Sequence, residues 1–550
     1  MQQQDIVARA KAWLAEDPDS DTREELGKII DAGDPGTLAE MFSGTLQFGT
    51  AGLRGELGPG PMRMNRAVVI RAAAGLAAYL KAQGDGDGLV VIGYDARYKS
   101  ADFARDTAAV MTGAGLRAAV LPRPLPTPVL AFAIRHLGAV AGVEVTASHN
   151  PPRDNGYKVY LGGGSQIVPP ADGEIAAAID AIGPLKTVER PDDGWEILGD
   201  EVLAAYLERT DTVLTPGTPR TARVVHTALH GVGTETLTAA FARAGFPAPV
   251  LVAEQAEPDP AFPTVAFPNP EEPGAMDLAF ATARRVQPDL IIANDPDADR
   301  CAVAVPDDAA DGGWRMLRGD EVGALLAAHL VHKGATGTFA ESIVSSSLLG
   351  RIAEAAELGY EETLTGFKWI ARVEGLRYGY EEALGYCVDP DGVRDKDGIT
   401  AALLVAELAS ELKAHDRTLT DLLDDLAVTH GLHATDQLSV RVKDLSLIAD
   451  AMHRLRAHPP TVLAGLTVTS AEDLTRGTDA LPPTDGLRYR LEGAYGARVI
   501  VRPSGTEPKL KCYLEVVIPV ADATALSTAR AAGTEVLAAL KRDLSVAAGI

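Results

Sequence analysis

The stretch AGVEVTASHNPPRDNGYK, residues 141–158, decides the fold class of this chain. Its first part is small and β-branched, which is typical of a buried strand, and the strand opens into a loop at Ser148. Helix-period segments alternate with apolar strands from residue 66 up to this point. The alternation predicts an α/β domain, in which a loop at a strand's carboxyl end is the usual place for chemistry. A Ser-Asn-Pro turn with a solvated histidine is the alternative interpretation of the loop.

The rest of the 550-residue chain predicts further domains of similar size. We expect three similar α/β domains with mixed, largely parallel sheets, followed by an α+β domain with an antiparallel sheet. The last domain differs because its strands, such as ARVIVRPSG and KLKCYLEVVIP, are not separated by regular helices. The predicted boundaries are a helical extension at 1–43 and domains at 44–200, 201–317, 318–432 and 433–550.

The composition limits the partners and the compartment. The net charge of −25 argues against a general affinity for nucleic acid or membrane surfaces, so a phosphorylated ligand must meet a local basic cluster. The three cysteines lie far apart, which predicts neither a disulfide framework nor a zinc site. No signal-peptide pattern or membrane-spanning apolar run is present. These features predict a cytoplasmic protein.

The strongest local pattern is NDPDADR, residues 294–300, directly after the apolar run LIIA. Asp295, Asp297 and Asp299 alternate, so their carboxylates can turn toward one point at the end of a buried strand. Oxygen ligands of this kind suit a hard cation, and Mg²⁺ is favoured over Ca²⁺ because no bidentate glutamate follows. A solvated acidic turn is one alternative. A phosphatase with Asp295 as its nucleophile is another.

A second pattern, VRPSGTEPKLKCY at residues 501–513, lies between two predicted strands. Its loop offers backbone N–H groups and hydroxyls to one point, and basic side chains flank it. The pattern therefore predicts a phosphate-binding loop, with a Ser-Gly hairpin turn as the alternative. The residues that would hold the anion are Arg502, Ser504, Gly505, Thr506 and Lys511.

Three weaker patterns accompany these two. AGLRG places Arg54 in a glycine-flanked loop that could approach a ligand closely. GYEEALGY places Glu381 between aromatic residues and glycines, a composition suited to sugar hydroxyls, although an acidic helix start fits equally well. VRDKDGIT contributes Lys396, for which a solvated lysine is the simpler interpretation.

The order of the motifs identifies a resemblance. TASHNP, DPDADR, EEALG and RPSGTEP follow one another, one in each predicted domain, and the chain resembles the α-D-phosphohexomutase family from FGTAGLRG to its carboxyl end. The variants FGTAGLRG, RMN, PNPEE, TGFKWI and EEALGY are most similar to the branch that holds type-2 phosphoglucomutase and phosphopentomutase. The resemblance implies four domains arranged around a central cleft.

The resemblance also implies a role for each motif. Ser148 would carry a phosphoryl group and would bind one Mg²⁺ per chain together with Asp295, Asp297 and Asp299. His149, Lys158 and Arg54 would assist proton transfer at the reacting hydroxyl. The residues expected to bind the substrate are Thr365, Gly366, Glu381, Lys396, Arg300, Arg502, Ser504, Gly505, Thr506 and Lys511.

The activity implied is that of a phosphosugar mutase. A phosphoserine enzyme, primed by a sugar bisphosphate, would move a phosphoryl group between position 1 and the terminal hydroxyl of a sugar, with glucose or pentose phosphates as the expected substrates. Many hexose-specific members have Glu-x-Ser in the sugar loop, whereas this chain has Ala383, which favours pentoses. Phosphomannomutase, hexose bisphosphate synthase and metal-dependent sugar phosphatase are the alternatives. A monomer or homodimer is expected.

Overall fold

The computed structural model describes residues 3–442, 444, 446–504 and 509–550. The chain forms two compact units. The first comprises Met1–Met316 and Gly385–Ser410, and the second comprises Leu317–Leu384 and Glu411–Ile550. Within the described residues, no helix has the length and apolar character needed to cross a membrane.

Three helices open the chain and share a small apolar core. They are α1 (Gln3–Glu16), α2 (Ser20–Ala32) and α3 (Pro35–Phe42). Leu26, Leu38 and Phe42 are buried between them. Aspartates cap the second and third helices by accepting hydrogen bonds from the first backbone N–H groups, which have no partner inside a helix.

The first α/β layer carries the TASHNP loop. Its elements are β1 (Leu53–Glu56), α4 (Arg66–Gln83), β2 (Leu89–Tyr94), α5 (Ser100–Gly113), β3 (Arg117–Val120), α6 (Thr127–His136), β4 (Ala141–Val145), β5 (Asp154–Leu161), α7 (Ala171–Asp180) and β6 (Glu196–Ile197). The strand order is β1-β5-β4-β2-β3-β6, and β4, β2, β3 and β6 run parallel. Every residue of β4 is buried, as expected for a strand covered on both faces.

The second α/β layer carries the DPDADR loop. Its elements are α8 (Glu201–Thr210), β7 (Val224–Thr227), α9 (Gly233–Ala244), β8 (Val250–Leu251), α10 (Asp277–Val286), β9 (Leu290–Ala293), β10 (Ala302–Pro306) and β11 (Trp314–Met316). The strand order is β11-β10-β9-β7-β8, with β9, β7 and β8 parallel and the other pairs antiparallel. The aspartate loop joins β9 to β10.

The third α/β region carries the EEALG loop. Its elements are α11 (Gly319–His332), β12 (Thr338–Ser342), α12 (Leu348–Ala355), β13 (Gly359–Thr363), α13 (Phe367–Ile370), β14 (Leu376–Glu381), β15 (Gly385–Cys387), α14 (Gly398–Lys413) and α15 (Leu419–His430). In the second unit β12 lies between β13 and β14 and is parallel to both. The EEALG loop begins where β14 ends.

The last region is an antiparallel sheet covered by helices. Its elements are β16 (Leu432–Arg441), α16 (Ser446–Ala457), β17 (Val462–Leu463), β18 (Leu466–Asp473), β19 (Leu487–Glu492), β20 (Gly496–Pro503), β21 (Lys509–Ile518) and α17 (Leu526–Ala548). The order is β16-β21-β20-β19-β18-β17, with every pair antiparallel. Leu540 and Leu544 of α17 pack into its core. The predicted fold class, α/β layers followed by an α+β region, is confirmed.

Candidate active site

Ser148 is held in an unusual backbone conformation directly after β4. Its φ is +51°, a left-handed value that costs free energy for a residue with a Cβ. The Ser148 N–H donates to Thr146 Oγ1 at 2.9 Å, and the residue is only 2% exposed. Strained conformations of this kind cluster at functional sites. The hydrogen bond and the burial therefore hold the backbone of Ser148 in this strained conformation.

The Ser148 hydroxyl connects two motifs that lie far apart in the sequence. Its Oγ donates to Asp295 Oδ2 at 2.7 Å and accepts from Arg300 Nη1 at 2.5 Å. Arg300 Nη1 also lies 3.1 Å from Asp295 Oδ2. The TASHNP and DPDADR loops thus form one site within the first unit.

The three aspartates of the DPDADR loop point to one place, as the sequence predicts. Asp295, Asp297 and Asp299 are fully buried, and one oxygen from each lies within 4.8 Å of the others. Ala298 has a φ of +53°, so this loop also contains a strained residue. Thr127 Oγ1 donates to Asp297 Oδ2 at 2.7 Å, which ties the loop to the start of α6.

Two lysines neutralise part of this negative charge. Lys158 Nζ donates to Asp297 Oδ2 at 2.7 Å and to Asp299 Oδ2 at 3.0 Å. Lys396 Nζ lies 3.3 Å from Asp299 Oδ2. Both lysines are about 5% exposed, so Lys396 is not the solvated lysine that its local sequence suggests. Buried charges persist only when paired in this way.

The surrounding charges shift the pKa values of the aspartate carboxyl groups in different directions. Burial, reinforced by Asp297 and Asp299, raises the pKa of Asp295 to about 7. Burial also acts on Asp299, but Lys158, Lys396 and Arg300 outweigh it and hold the pKa of Asp299 below its usual range. Burial would lower the pKa of Lys158, yet the facing aspartates raise it above its usual value. The lysine is therefore protonated at neutral pH.

The donor set suits a hard divalent cation. Asp297 Oδ1 is buried and has no hydrogen-bond partner among the described residues. An unpaired carboxylate oxygen inside a protein is costly, and a cation would remove that cost. Carboxylate and hydroxyl oxygens are the ligands that Mg²⁺ prefers. Asp295, Asp297, Asp299 and the Ser148 oxygen therefore fit such an ion.

Arg97, which motif analysis missed, braces the serine loop. Its Nη2 donates to the carbonyl oxygens of Ser148 and Asn150, each at 2.6 Å, and its Nη1 donates to Pro151 O at 2.7 Å. Asp95 lies 3.3 Å from Arg97 Nε, and both residues are almost fully buried. The signal in the sequence is Asp-x-Arg directly after the strand LVVIGY. Nothing local indicates that the partners lie some 50 residues away.

Replacing this brace should slow the reaction without unfolding the protein. We expect Arg97→Lys to keep the charge beside Asp95, to lose the fork of hydrogen bonds, and to lower kcat about 10- to 100-fold, since small displacements of a reacting group cost this much. KM should change little. Steady-state kinetics with circular dichroism as a folding control checks this, and an unchanged kcat would show that the loop holds Ser148 without Arg97.

Asp395 was also missed, and it positions Lys396. Its Oδ2 accepts from Tyr160 OH and from Gln166 Nε2, each at 2.7 Å, while Oδ1 lies 3.4 Å from Lys396 Nζ. Asp395 is 1% exposed. Tyr160 lies on β5, two residues beyond Lys158. The same strand therefore supplies Lys158 to the aspartates and, through Tyr160 and Asp395, helps to position Lys396.

Arg54 lies beside the serine loop. Arg54 lies on β1, which pairs with β5. Directly before β1, a Cβ on Gly52 would meet Tyr157 O at 1.8 Å, so only glycine allows the two backbones to lie this close. Arg54 Nη1 donates to Asn150 Oδ1 at 3.3 Å, and burial followed by Arg300 lowers the pKa of Arg54. His149 is partly buried in the same loop. Two of the three candidates for proton transfer, Arg54 and His149, therefore contact the Ser148 loop or belong to it.

The second unit contains the candidate sugar loop. Glu381 ends β14, and Thr365 and Gly366 directly precede α13, where Gly366 has a φ of +108°. Glu382 follows Glu381, and its carboxylate accepts hydrogen bonds from Ser342 and Ser345 at 3.1 and 3.4 Å. Polar side chains thus gather at the ends of β12 and β14.

The candidate phosphate loop joins β20 to β21 in the second unit. Arg502 and Lys511 are direct cross-strand partners, so two cations lie side by side, an arrangement that favours an anion. The Ser504 N–H donates to Lys509 O at 2.8 Å. The predicted ligands Gly505 and Thr506 lie outside the described residues.

Comparisons with known proteins match this chain along most of its length. Four domain descriptions match in order: Phosphoglucomutase/phosphomannomutase, alpha/beta/alpha domain I at residues 45–185, domain II at 204–310, domain III at 318–429, and the C-terminal domain at 440–533. A Haemophilus influenzae protein named "Probable phosphomannomutase" is 51% identical over 82% of this chain and 93% of its own length.

Two further relatives cover nearly the whole chain. The human phosphopentomutase is 34% identical over 92% of this chain and 90% of its own length. The crystal structure of a putative phosphomannomutase from Thermus thermophilus has a TM-score of 0.71 and 26% identity, covering 91% of this chain and 99% of that one. The chain therefore belongs to the phosphoglucomutase/phosphomannomutase family, and it is a phosphosugar mutase, an intramolecular phosphotransferase.

Proposed function

We propose that Ser148 carries the phosphoryl group that this mutase transfers. The observation that carries the proposal is the position of its hydroxyl, which is buried, strained and hydrogen-bonded to Asp295 at 2.7 Å and to Arg300 at 2.5 Å. A structural serine needs neither an arginine nor a carboxylate trio beside it. A phosphoserine at this position would instead find the charge-assisted hydrogen-bond donors that phosphate oxygens require.

The reaction then proceeds in two transfers. Phospho-Ser148 gives its phosphoryl group to a hydroxyl of a sugar monophosphate, which forms a sugar bisphosphate and leaves the serine hydroxyl. The bisphosphate turns end for end, and its other phosphoryl group returns to Ser148. A free sugar bisphosphate primes the unphosphorylated enzyme by the second of these steps.

Mg²⁺ is the ion proposed for the aspartate site, one per chain. When bound by Asp295, Asp297, Asp299 and the oxygen of Ser148, it neutralises charge on the phosphoryl oxygens. The chain's own contribution is to exclude water from this site and to fix the ligands. Lys158, Lys396 and Thr127 hold Asp297 and Asp299 in place.

Basic side chains beside the serine loop are the groups proposed to transfer protons. Lys158 is protonated and 2.7 Å from Asp297, so it can donate a proton to the oxygen that loses its phosphoryl group, and the resulting amine can accept the proton that the attacking hydroxyl loses. Its positive charge also stabilises the group in transfer. We propose that His149 and Arg54 assist this proton transfer. Arg300 contacts Ser148 Oγ, so its guanidinium is placed to donate hydrogen bonds to the phosphoryl group that the serine carries.

The second unit is proposed to hold the sugar and its non-reacting phosphate. Thr365, Gly366 and Glu381 would contact the sugar, and the family resemblance assigns Lys396 to substrate binding as well. The paired cations Arg502 and Lys511, with Ser504, Gly505 and Thr506, would bind the phosphate that does not react. Binding energy from that phosphate orients the reacting hydroxyl, an effect that can remove roughly 7 to 11 kcal/mol of barrier.

Mannose phosphate is the substrate that the comparisons favour, and this corrects the order of our expectations. The 51% identical relative carries a phosphomannomutase name, whereas the relatives named phosphopentomutase are 34% identical. Pentose 1-phosphates are the second candidate, because Ala383 offers no hydroxyl to a hexose and because the pentomutases match 92% of the chain.

A single panel of substrates decides between them. We expect kcat/KM to be highest for mannose 1-phosphate, by about tenfold or more over glucose, ribose and deoxyribose 1-phosphates, since one well-placed hydroxyl discriminates at least this strongly. Coupled assays with saturating bisphosphate and Mg²⁺ measure these values. A higher kcat/KM for either pentose would establish the second candidate. Phosphate release, or a requirement for a glycolytic phosphoryl donor, would identify a phosphatase or a bisphosphate synthase.

A further inference from the structure

Phe262 is a buried aromatic residue in a proline-rich connector of the second α/β layer. The connector, EPDPAFPTVAFPNPEEPG at residues 257–274, precedes α10, and none of the residues assigned to the site lies in it. Phe262 is 3% exposed, and its φ of +46° lies in the left-handed region. A bulky residue adopts this conformation only where the surrounding structure enforces it. The connector therefore holds this side chain in place at a cost in free energy.

Hydrogen bonds anchor the connector to the loop that follows β7. The Asp259 N–H donates to His230 O at 3.0 Å, and His230 Nε2 lies 2.7 Å from Thr264 Oγ1. The Phe262 N–H donates to Asp259 O, and Phe262 O accepts from the Val265 N–H, each at 3.1 Å. The backbone is thus fixed on both sides of Phe262, and the direction of its ring follows from that backbone.

The ring of Phe262 lies against Arg97, which belongs to the first α/β layer. Arg97 Cζ lies over the ring, 4.9 Å from its centroid. The terminal nitrogens of Arg97 donate four hydrogen bonds to the carbonyl oxygens of Ser148, Asn150, Pro151 and Asp154. Because these N–H donors lie in the plane of the guanidinium, its face remains for the ring. A cation over an aromatic face is attracted to it, most strongly where both groups are shielded from water.

We propose that Phe262 is a positioning residue that acts through Arg97, because its ring keeps the guanidinium seated on the carbonyl oxygens of the Ser148 loop. This inference rests on the proposed function of Ser148. Without the ring, the guanidinium can tilt away from the loop, and water can compete for its hydrogen bonds. The loop then holds Ser148 less precisely, and small displacements of a reacting group slow its reaction strongly. The connector thereby links the second α/β layer to the loop that carries the phosphoryl group.

The test is a double-mutant cycle of Phe262→Leu with Arg97→Lys, measured with saturating bisphosphate and Mg²⁺. Phe262→Leu should lower kcat about tenfold and change KM less than about twofold, because leucine is apolar but has no aromatic face. In the Arg97→Lys background the same change should lower kcat less than about twofold, since the guanidinium through which the ring acts is already absent. Phe267→Leu, the same change at a more exposed position of the connector, should match wild type.

Phe262→Met, whose flexible side chain fills irregular space, gives the same cycle if Phe262→Leu folds poorly. An equal loss of kcat in both backgrounds would overturn the inference, because Phe262 would then act independently of Arg97. A lower melting temperature with unchanged kcat would overturn it as well, since the role of Phe262 would be structural only. Both results count against this inference alone when mass spectrometry shows that Ser148 still becomes phosphorylated. Absence of phosphoryl-Ser148 in the wild type during turnover would overturn the proposed function and this inference with it.

Discussion

Ser148→Ala should lower kcat about 10⁴-fold or more with every sugar phosphate, because covalent transfer through the serine has no alternative group of the same geometry. The other contacts of the site should survive this change, since the Arg300–Asp295 contact at 3.1 Å does not involve the serine. KM for the sugar phosphate should therefore stay within a few-fold. Steady-state kinetics in the presence of saturating bisphosphate measures both values.

Ser165→Ala is the matched control for this variant. Ser165 is a buried serine of the same unit that follows β5, and its backbone oxygen accepts a hydrogen bond from the Leu161 N–H, which the change to alanine preserves. It should retain full activity. Mutase activity of Ser148→Ala within tenfold of wild type would show that another residue carries the phosphoryl group.

Asp297→Asn should abolish the response to Mg²⁺ and lower kcat about 10³-fold, the magnitude expected when electrostatic stabilisation of a developing charge is lost. The amide removes one negative charge from the proposed ion ligands. It also leaves Lys158 with Asp299 as its remaining partner in the trio. The kinetic defect should not be rescued by raising the Mg²⁺ concentration.

Thermal unfolding supplies an independent measure of the same site. Mg²⁺ should raise the melting temperature of chelator-treated wild type, because a ligand that binds only the folded state stabilises it. The increase should be absent for Asp297→Asn. Asp307→Asn, a change at a partly exposed aspartate that follows β10, should behave as wild type. An unaltered Mg²⁺ response in Asp297→Asn would place the ion elsewhere.

Local sequence signals predicted the layers well and indicated polar groups at strand ends as candidate reactive groups. Apolar runs such as LIIA and AGVEVTA specify strands because their residues are small or β-branched, and polar residues directly after a strand end lie where such sheets place their sites. The three aspartates were singled out in this way, whereas the role expected for Ser148 came from the family resemblance. Their proximity was implied only by the family resemblance, since 147 residues separate Ser148 from Asp295.

The supporting residues could not be predicted for the same reason. Arg97 braces carbonyl oxygens more than 50 residues away, and Asp395 meets Tyr160 across 235 residues. Hydrogen bonds to backbone oxygens leave no pattern in the partner's sequence, because every residue type carries that oxygen. The positive φ of Ser148 was equally hidden, since glycine is the usual residue in such conformations and none is present there.

The central claim is tested most directly by locating the phosphoryl group during turnover. Wild-type protein incubated with a hexose 1,6-bisphosphate and Mg²⁺ should gain the mass of one phosphoryl group, which tandem mass spectrometry should assign to Ser148. Addition of the sugar monophosphate should remove that group and produce bisphosphate at a rate no slower than kcat. A protein that isomerises sugar phosphates while Ser148 stays unmodified, or while another residue carries the group, would contradict the account.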